Sequence, residues 1–223
     1  MSVLGKVVSV RIGKIAPYER RAWDHIQNRP YQTAFRKAEV QGPARVGPLG
    51  VEGDEQADKQ NHGGPEMALL MYAEVHYPGW RLLEGLGEMG PGGFGENLTV
   101  SDTDETQVCV GDVLEVGGTR LQIASPRGPC ADISRRWDRE WLLKKVVERR
   151  HTGWYLRVLQ PGMVHAGDAV RLLERPHEGW TVDRMLRLRY VTPHDAQGLR
   201  EASTLAAFSP EWRAKFADLA SKH

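Results

Sequence analysis

The stretch Ser125-Pro126-Arg127-Gly128-Pro129-Cys130 follows the strand-like run "TRLQIA" and ends on one of only two cysteines in the 223-residue chain. Pro126 and Pro129 fix two φ angles and withhold two amide donors, while Gly128 lets the chain bend, so such a loop holds the sulfur in one place. Arg127 is placed to stabilise a thiolate, the form that attacks electrophiles or binds soft metals. On these residues alone, a buried structural thiol and a functional one compete about evenly. Cys109, in "TQVCVGDV", sits in a plain strand and reads as a small core residue.

Two other stretches carry polar groups at strand mouths. "QADKQNHGGPEMALLMY" sets His62 before Gly63 and Gly64, where backbone can approach a ligand closely and an imidazole can stand at its edge. Taken singly, a turn histidine is more often structural. "GFGENLTV" puts Glu96 and Asn97 at a strand start, and Asn97 alone reads as a turn residue. A cysteine peptidase would need a histidine base and an orienting partner; eight histidines leave that open, but no family-specific nucleophile signature is present. No C-x-x-C or H-x-x-x-H spacing supports a four-ligand zinc site. Gly90 to Gly95 spells G-x-G-x-x-G, yet a helix-like segment precedes it and a strand follows, the reverse of what a dinucleotide loop requires.

The elements that would position these groups are mostly strands. To about residue 175, short β-like runs ("KVVSVRI", "MALLMY", "ENLTV", "VLEV", "TRLQIAS", "YLRVL", "DAVRLLE") recur between Gly-rich turns, the pattern of a β-barrel or closed sheet. Gly111-Asp112 and Gly167-Asp168 repeat one turn chemistry, each feeding a strand. Helices are predicted near residues 73–83 and 135–150, the second with Trp137, Trp141 and Val146 on one face. That second segment holds seven basic and three acidic residues, which a solvated face explains better than a docking patch. After "ERPHEG" three short helical patterns follow, with Thr181 and Ser209 as caps, Pro210 at a first helical position, and Trp212, Phe216 and Leu219 on one face. The expected organisation is a barrel over residues 1–176 and a three-helix region over 177–223.

Composition bounds the partners. The chain is 40% hydrophobic and 26% charged, the balance of a soluble globular protein, and its formal charge of +1 offers no global field toward nucleic acid or anionic lipid. Residues 178 to 223 hold seven Lys or Arg against six Asp or Glu, so the basic footprint of a DNA-binding tail is missing. The N-terminus lacks a signal-peptide pattern and "MALLMYA" is far short of a membrane span, so a cytoplasmic protein with two free thiols is expected.

Taken together, "LGVEGDEQADKQNHGG", "YAEVHYPGW", "GGFGENLTV", "VCVGDVLEVGG", "SPRGPC" and "TGWYLRVLQPGMVHAGDAVRLLERP" closely resemble MOSC-domain proteins (molybdenum cofactor sulfurase C-terminal domain) of the YiiM type. The helical tail resembles that type's C-terminal region. The resemblance implies a mainly β fold, a MOSC-type β-barrel with a few helices and a small three-helix end. It also implies a molybdenum cofactor of the molybdopterin type, with Cys130 as the metal ligand. The implied activity is reduction of N-hydroxylated compounds such as hydroxylaminopurines and amidoximes, with electrons from a separate flavin or iron–sulfur reductase.

By the same resemblance Asn97, Ser125 and Arg127 stand at the cofactor, and His62, Gly63 and Gly64 line the pocket, His62 as a second catalytic group. Arg157 is a family-like position, and Lys14 and Arg11 are assigned to the pterin phosphate, since charge-assisted contacts hold such anions. One departure stands out: where the family often has H-G-G-x-x-K, this chain reads His62-Gly63-Gly64-Pro65-Glu66-Met67. A carrier role, with Cys130 holding sulfur or the barrel handing on cofactor, is the alternative. In cofactor sulfurases the domain follows a pyridoxal-phosphate domain, but no lysine here has a Schiff-base context, so pyridoxal phosphate binding would be a family-level label only. The exposed face of the tail suits a homodimer contact or a reductase equally.

Overall fold

The computed structural model describes residues 2–18, 23–24, 31–59 and 62–223. In chain order the strands are β1 (Ser2–Gly13), β2 (Ala16–Pro17), β3 (Gln32–Thr33), β4 (Lys37–Glu39), β5 (Ala44–Gly47), β6 (Gly50–Val51) and β7 (Leu69–Ala73). They continue as β8 (Leu98–Val100), β9 (Val113–Val116), β10 (Thr119–Pro126), β11 (Trp154–Gln160), β12 (Gly162–Val164) and β13 (Ala169–Glu174). The helices are α1 (Tyr77–Arg81), α2 (Asp132–Trp137), α3 (Leu142–Arg149), α4 (Val182–Tyr190), α5 (Ala196–Thr204) and α6 (Pro210–Ala220).

Strands β13-β9-β10-β11-β7-β8-β1 follow one another in the sheet, and β1 pairs back onto β13, closing a seven-strand barrel with β4 appended to β1. All ladders are antiparallel except β7–β8, whose parallel pairing is made possible by the α1 crossover. Closure depends on one close approach: a Cβ at Gly5 would meet the Ser101 carbonyl oxygen at 1.9 Å. Only glycine lets β1 cross from β13 to β8 there.

Strand alternation divides the interior in two. On β7, Leu69, Met71 and Ala73 point into the barrel core, while Tyr72 joins a second cluster of Tyr77, Trp80, Phe94, Ile133 and Val146 beneath α1, α2 and α3. The tail helices share the barrel's core through Trp180, Met185, Leu199 and Phe216. As the sequence predicts, the side chains of Thr181 and Ser209 accept the amides of Arg184 and Trp212. Both Gly-Asp turns use one device, in which Asp112 accepts the Cys109 amide and Asp168 the His165 amide. Among the described residues no helix is long and apolar enough to cross a membrane.

The helical expectations for the middle of the chain need correction. The segment at 73–83 is a 3-10 turn (Glu74–His76) followed by the short α1, shortened by Pro78 and Gly79. The segment at 135–150 is two helices, broken where Asp138 adopts φ 53°. Trp137, Trp141 and Val146 therefore do not form one stripe: Val146 is buried and Trp141 is exposed. Three of the seven basic side chains of this segment are engaged by charges or a ring in the rest of the molecule, with Arg135 on Asp24 and Asp132, Arg150 on Asp183, and Arg149 over the Trp80 ring. The glycine loop wraps a carboxylate of the chain itself: Gly92 and Phe94 donate their amides to the fully buried Glu96, which also accepts from Thr99 and Tyr77.

Two tests follow from this packing. Gly5→Ala should cost at least about 3 kcal/mol of stability, because backbone and not a flexible side chain must yield; chemical denaturation measures it. His151 stacks on His76 at 3.6 Å, and its Nδ1 is buried without a partner. Burial, then the neighbouring His76, lowers the His151 pKa to about 4. The unfolded chain therefore binds more protons between roughly pH 6.5 and 4, and stability should fall as pH drops through that window. His151→Phe should flatten the fall in denaturation midpoint over the same range.

Candidate functional site

Strand β10 ends at Ser125 and Pro126, which pair with Tyr155 and Trp154 of β11, so the loop that follows leaves a rigid wall. The Arg127 amide donates to the Gly153 carbonyl at 3.0 Å, turning the chain into a cavity beside the barrel mouth. Arg127 is buried at 2% exposure, and its Nη2 lies 3.4 Å from the Cys130 sulfur. Its guanidinium also stands over the Phe35 ring at 5.6 Å. Nε and Nη1 of Arg127 are buried without a well-formed hydrogen bond, and the Tyr155 side chain interacts with the guanidinium.

Cys130 lines this cavity with His62, Gly63, Asn97, Arg127 and Tyr155. Burial opposes ionisation of its thiol, but the Arg127 charge and a hydrogen bond with His62 outweigh it and bring the pKa below that of an ordinary cysteine. The same hydrogen bond raises the His62 pKa against the effect of burial. The imidazole remains partly open to solvent, with Nδ1 4.0 Å from Asp58. Gly63 and Gly64 hold φ near 90° and 80°, a left-handed pair that lets the chain turn from His62 into the 3-10 turn Pro65–Met67.

Asn97 lines the cavity but spends its amide on the fold. It accepts the Leu70 amide at 3.1 Å and donates to the Arg11 carbonyl and to Asp54, riveting β7, β8 and β1 together. Asp54 also accepts the Gly13 amide and the buried Lys37 ammonium. On the opposite wall Asp132 accepts from Tyr31 at 2.6 Å and Thr33 at 2.9 Å, tying the segment before β4 to α2.

The structure separates the remaining candidates from the sulfur. Ser125 is buried in β10 and, like Gly64, is not on the cavity lining. Arg157 forks onto Glu66 at 2.8 and 2.6 Å and bonds Gln122 with its third nitrogen, so it anchors the 3-10 turn to the barrel wall. Glu66, the partner of Arg157, directly precedes Met67, which stands where the pattern H-G-G-x-x-K has its lysine and lines the cavity. Lys14 is exposed and paired with Glu55. Arg11 is paired with Glu39 and lines a neighbouring cavity. Sequence reasoning missed Phe35, Lys37, Asp54, Asp132 and Tyr155 on the lining. "GDE" at 53–55 was a legible motif, but Lys37 reaches the site from a strand of three residues that carries no pattern of its own.

A lone thiolate with cationic neighbours suits a soft metal that arrives with ligands of its own; among the described residues no group of three or more His, Cys, Asp or Glu could hold a bare ion. Nε and Nη1 of Arg127 fit an anionic group beside that metal. Iodoacetamide should alkylate Cys130 of cofactor-free protein at neutral pH and spare Cys109, whose pKa burial raises. Arg127→Gln should move the Cys130 rate profile to higher pH, as read by peptide mass spectrometry.

Comparison with known proteins gives the family and the fold. Residues 58–171 match the MOSC domain, and residues 180–222 match the YiiM-like, 3-alpha helix domain. An uncharacterized protein, YflK of Bacillus subtilis, is 34% identical over 94% of this chain and 92% of its own length. A protein of Gibberella moniliformis named "Reductase" is 35% identical over 72% of this chain, which spans only 29% of that relative. The crystal structure of YiiM from Geobacillus stearothermophilus superposes with a TM-score of 0.78 at 25% identity, covering 96% of this chain and 98% of that one. The chain belongs to the MOSC-domain family, in the branch that carries the YiiM-like three-helix domain.

Proposed function

We propose that this protein is a molybdenum-cofactor-dependent reductase of N-hydroxylated compounds, with Cys130 as the protein's ligand to the metal. The observation that carries this reading is the Cys130 thiol, held below its ordinary pKa beside two buried Arg127 donors without a well-formed hydrogen bond. MOSC membership supports association with the cofactor, and the relative named as a reductase supports the reaction class.

The overall change converts an N–OH group to N–H: two electrons and two protons enter, the N–O bond breaks, and water leaves. When bound, the cofactor supplies the two-electron chemistry. The chain's own residues do the rest. Cys130 holds the metal, and the proline-framed loop aims the sulfur. Arg127 would offer Nε and Nη1 to the cofactor's anionic groups, while its charge favours the thiolate. His62, at the cavity edge with a raised pKa, is positioned to hand a proton to the leaving oxygen. Phe35 and Phe94 line the cavity and keep bulk water from the reacting bond. Two cysteines are too few for a four-thiolate cluster among these residues, and we assign the electron supply to a flavin or iron–sulfur reductase.

Cys130→Ala, expressed in a cofactor-making host, should retain at least about tenfold less molybdenum than wild type by plasma mass spectrometry. It should also fail to convert a hydroxylaminopurine to the amine with a reduced donor. Cys109→Ala should keep both properties. Equal molybdenum in wild type and Cys130→Ala would sink the ligand assignment. A mass increase of about 32 Da on Cys130 of fresh protein would favour the sulfur-carrier alternative.

A further inference from the structure

Glu105 is buried at 3% exposure and does not line the Cys130 cavity. A carboxylate at that depth costs free energy unless its oxygens are met. Both are: Oε1 accepts the Gly153 amide at 2.8 Å, and Oε2 lies 2.6 Å from Nε2 of His76, itself buried. The Glu105 backbone is fixed as well, because its carbonyl accepts the Asp183 amide at 2.8 Å in the first turn of α4. Asp183 in turn is ion-paired with Arg150.

Gly153 is where this carboxylate reaches the site. It stands just ahead of β11, whose ladder to β7 starts at Trp154, so its amide goes to a side chain rather than to a strand. Its carbonyl accepts the Arg127 amide at 3.0 Å. Two residues on, the Tyr155 side chain interacts with the Arg127 guanidinium. Gly153 holds φ 74°, and a Cβ there would collide with the Met71 carbonyl oxygen, so the chain passes close against β7. The residues before it are held too: His151 stacks on His76, and its carbonyl accepts from the Tyr72 hydroxyl. A displacement of the Glu105 oxygens therefore passes to Gly153, and from there to the backbone and the guanidinium of Arg127.

We infer that Glu105 is a positioning residue for the Cys130 site: acting through Gly153, it fixes where the Arg127 guanidinium stands against the sulfur. The contact it sets, from Nη2 of Arg127 to the sulfur, is 3.4 Å long. Between poorly solvated charges such a contact weakens quickly with separation. The inference rests on the reading of Cys130 and Arg127 as the working pair of the site, and it concerns the protein without cofactor. A role through position and a role through charge have opposite signs. Removing a negative charge favours the thiolate, whereas slackening Arg127 disfavours it. Two conservative variants separate them. Glu105→Gln keeps the reach and an oxygen for the Gly153 amide but gives up the charge; Glu105→Asp keeps the charge and is one methylene shorter.

The test is carried out on full-length, cofactor-free protein with two readouts: hydrogen exchange of the Arg127 amide, and the pH profile of Cys130 alkylation by iodoacetamide. In Glu105→Asp the Arg127 amide should exchange faster while the amides of α6 keep their protection. The midpoint of the alkylation profile should rise by about half a pH unit, roughly a threefold loss of thiolate stabilisation. Glu105→Gln should keep the wild-type exchange and the wild-type midpoint. In an Arg127→Gln background the shift caused by Glu105→Asp should disappear, because the two residues act in series. His76→Leu releases the other carboxylate oxygen and should raise the midpoint in the same direction, which keeps the test decisive if Glu105→Asp folds poorly. A lowered melting temperature with the midpoint unmoved in both Glu105→Asp and His76→Leu would mark a structural role only and overturn the proposal. So would a lowered midpoint in Glu105→Gln, or a full shift retained beside Arg127→Gln. None of these measurements uses the metal, so failure of the positioning role and failure of the Cys130 ligand assignment are read separately.

Discussion

Strand β1 is the constraint on which the rest of the molecule hangs. In twelve residues it pairs with β13, then β8, then β4, bending at two register shifts between Val3 and Gly5 and between Val7 and Ser9. A closed barrel has no free edge, so the outward backbone donors and acceptors of β13 and β8 are paired only because this strand reaches both. Its far end then sets the site. The carbonyl of Arg11 and the amide of Gly13 hold Asn97 and Asp54, and Asp54 in turn holds Lys37. Closure of the barrel and construction of the cavity wall are therefore one event.

The charge arrangement around Cys130 resolves a conflict between burial and ionisation. A sulfur in a largely closed cavity would ordinarily stay protonated, since desolvation penalises the thiolate. Arg127 reverses this because it is buried as well, and the attraction between two poorly solvated charges is strong. The arginine needs its own support. It obtains some from the Phe35 face, from the sulfur and from Tyr155, leaving two donors without a well-formed hydrogen bond. On the neighbouring basic cavity Nε of Arg136 is likewise buried without a partner. Two polar networks of the barrel are closed: Glu96 is saturated by the loop that surrounds it, and Arg157 by Glu66 and Gln122.

Much of the barrel was legible because period-two alternation and Gly-rich punctuation act locally; all seven β-like runs in the sequence became strands. The tail helices were legible for a similar reason, as Thr181, Ser209 and Pro210 satisfy or remove helix-end donors within a single turn. Helical pattern misled at 135–150, where Asp138 in a left-handed conformation breaks one apparent amphipathic stripe into two helices facing different neighbours. Arg157 and Asn97 show the limit for site residues. Both stand in motifs, yet the contacts that satisfy them lie far away in sequence, at Glu66, Asp54 and Arg11.

By itself the sequence determined that a proline-framed cysteine with an adjacent arginine would be held rigidly, since φ restriction and missing amides are properties of the loop alone. It also determined that strands would dominate before residue 175 and helices after it. Only the tertiary structure decided that the thiol is ionised more readily than usual, that His62 reaches it, and that Lys37 joins two cavities. It likewise decided that Lys14 is exposed and paired with Glu55. The physical reason is the range of the interactions. Propensity and capping act over a few residues of chain, whereas desolvation and charge pairing depend on what the folded chain brings into contact, whatever the separation in sequence.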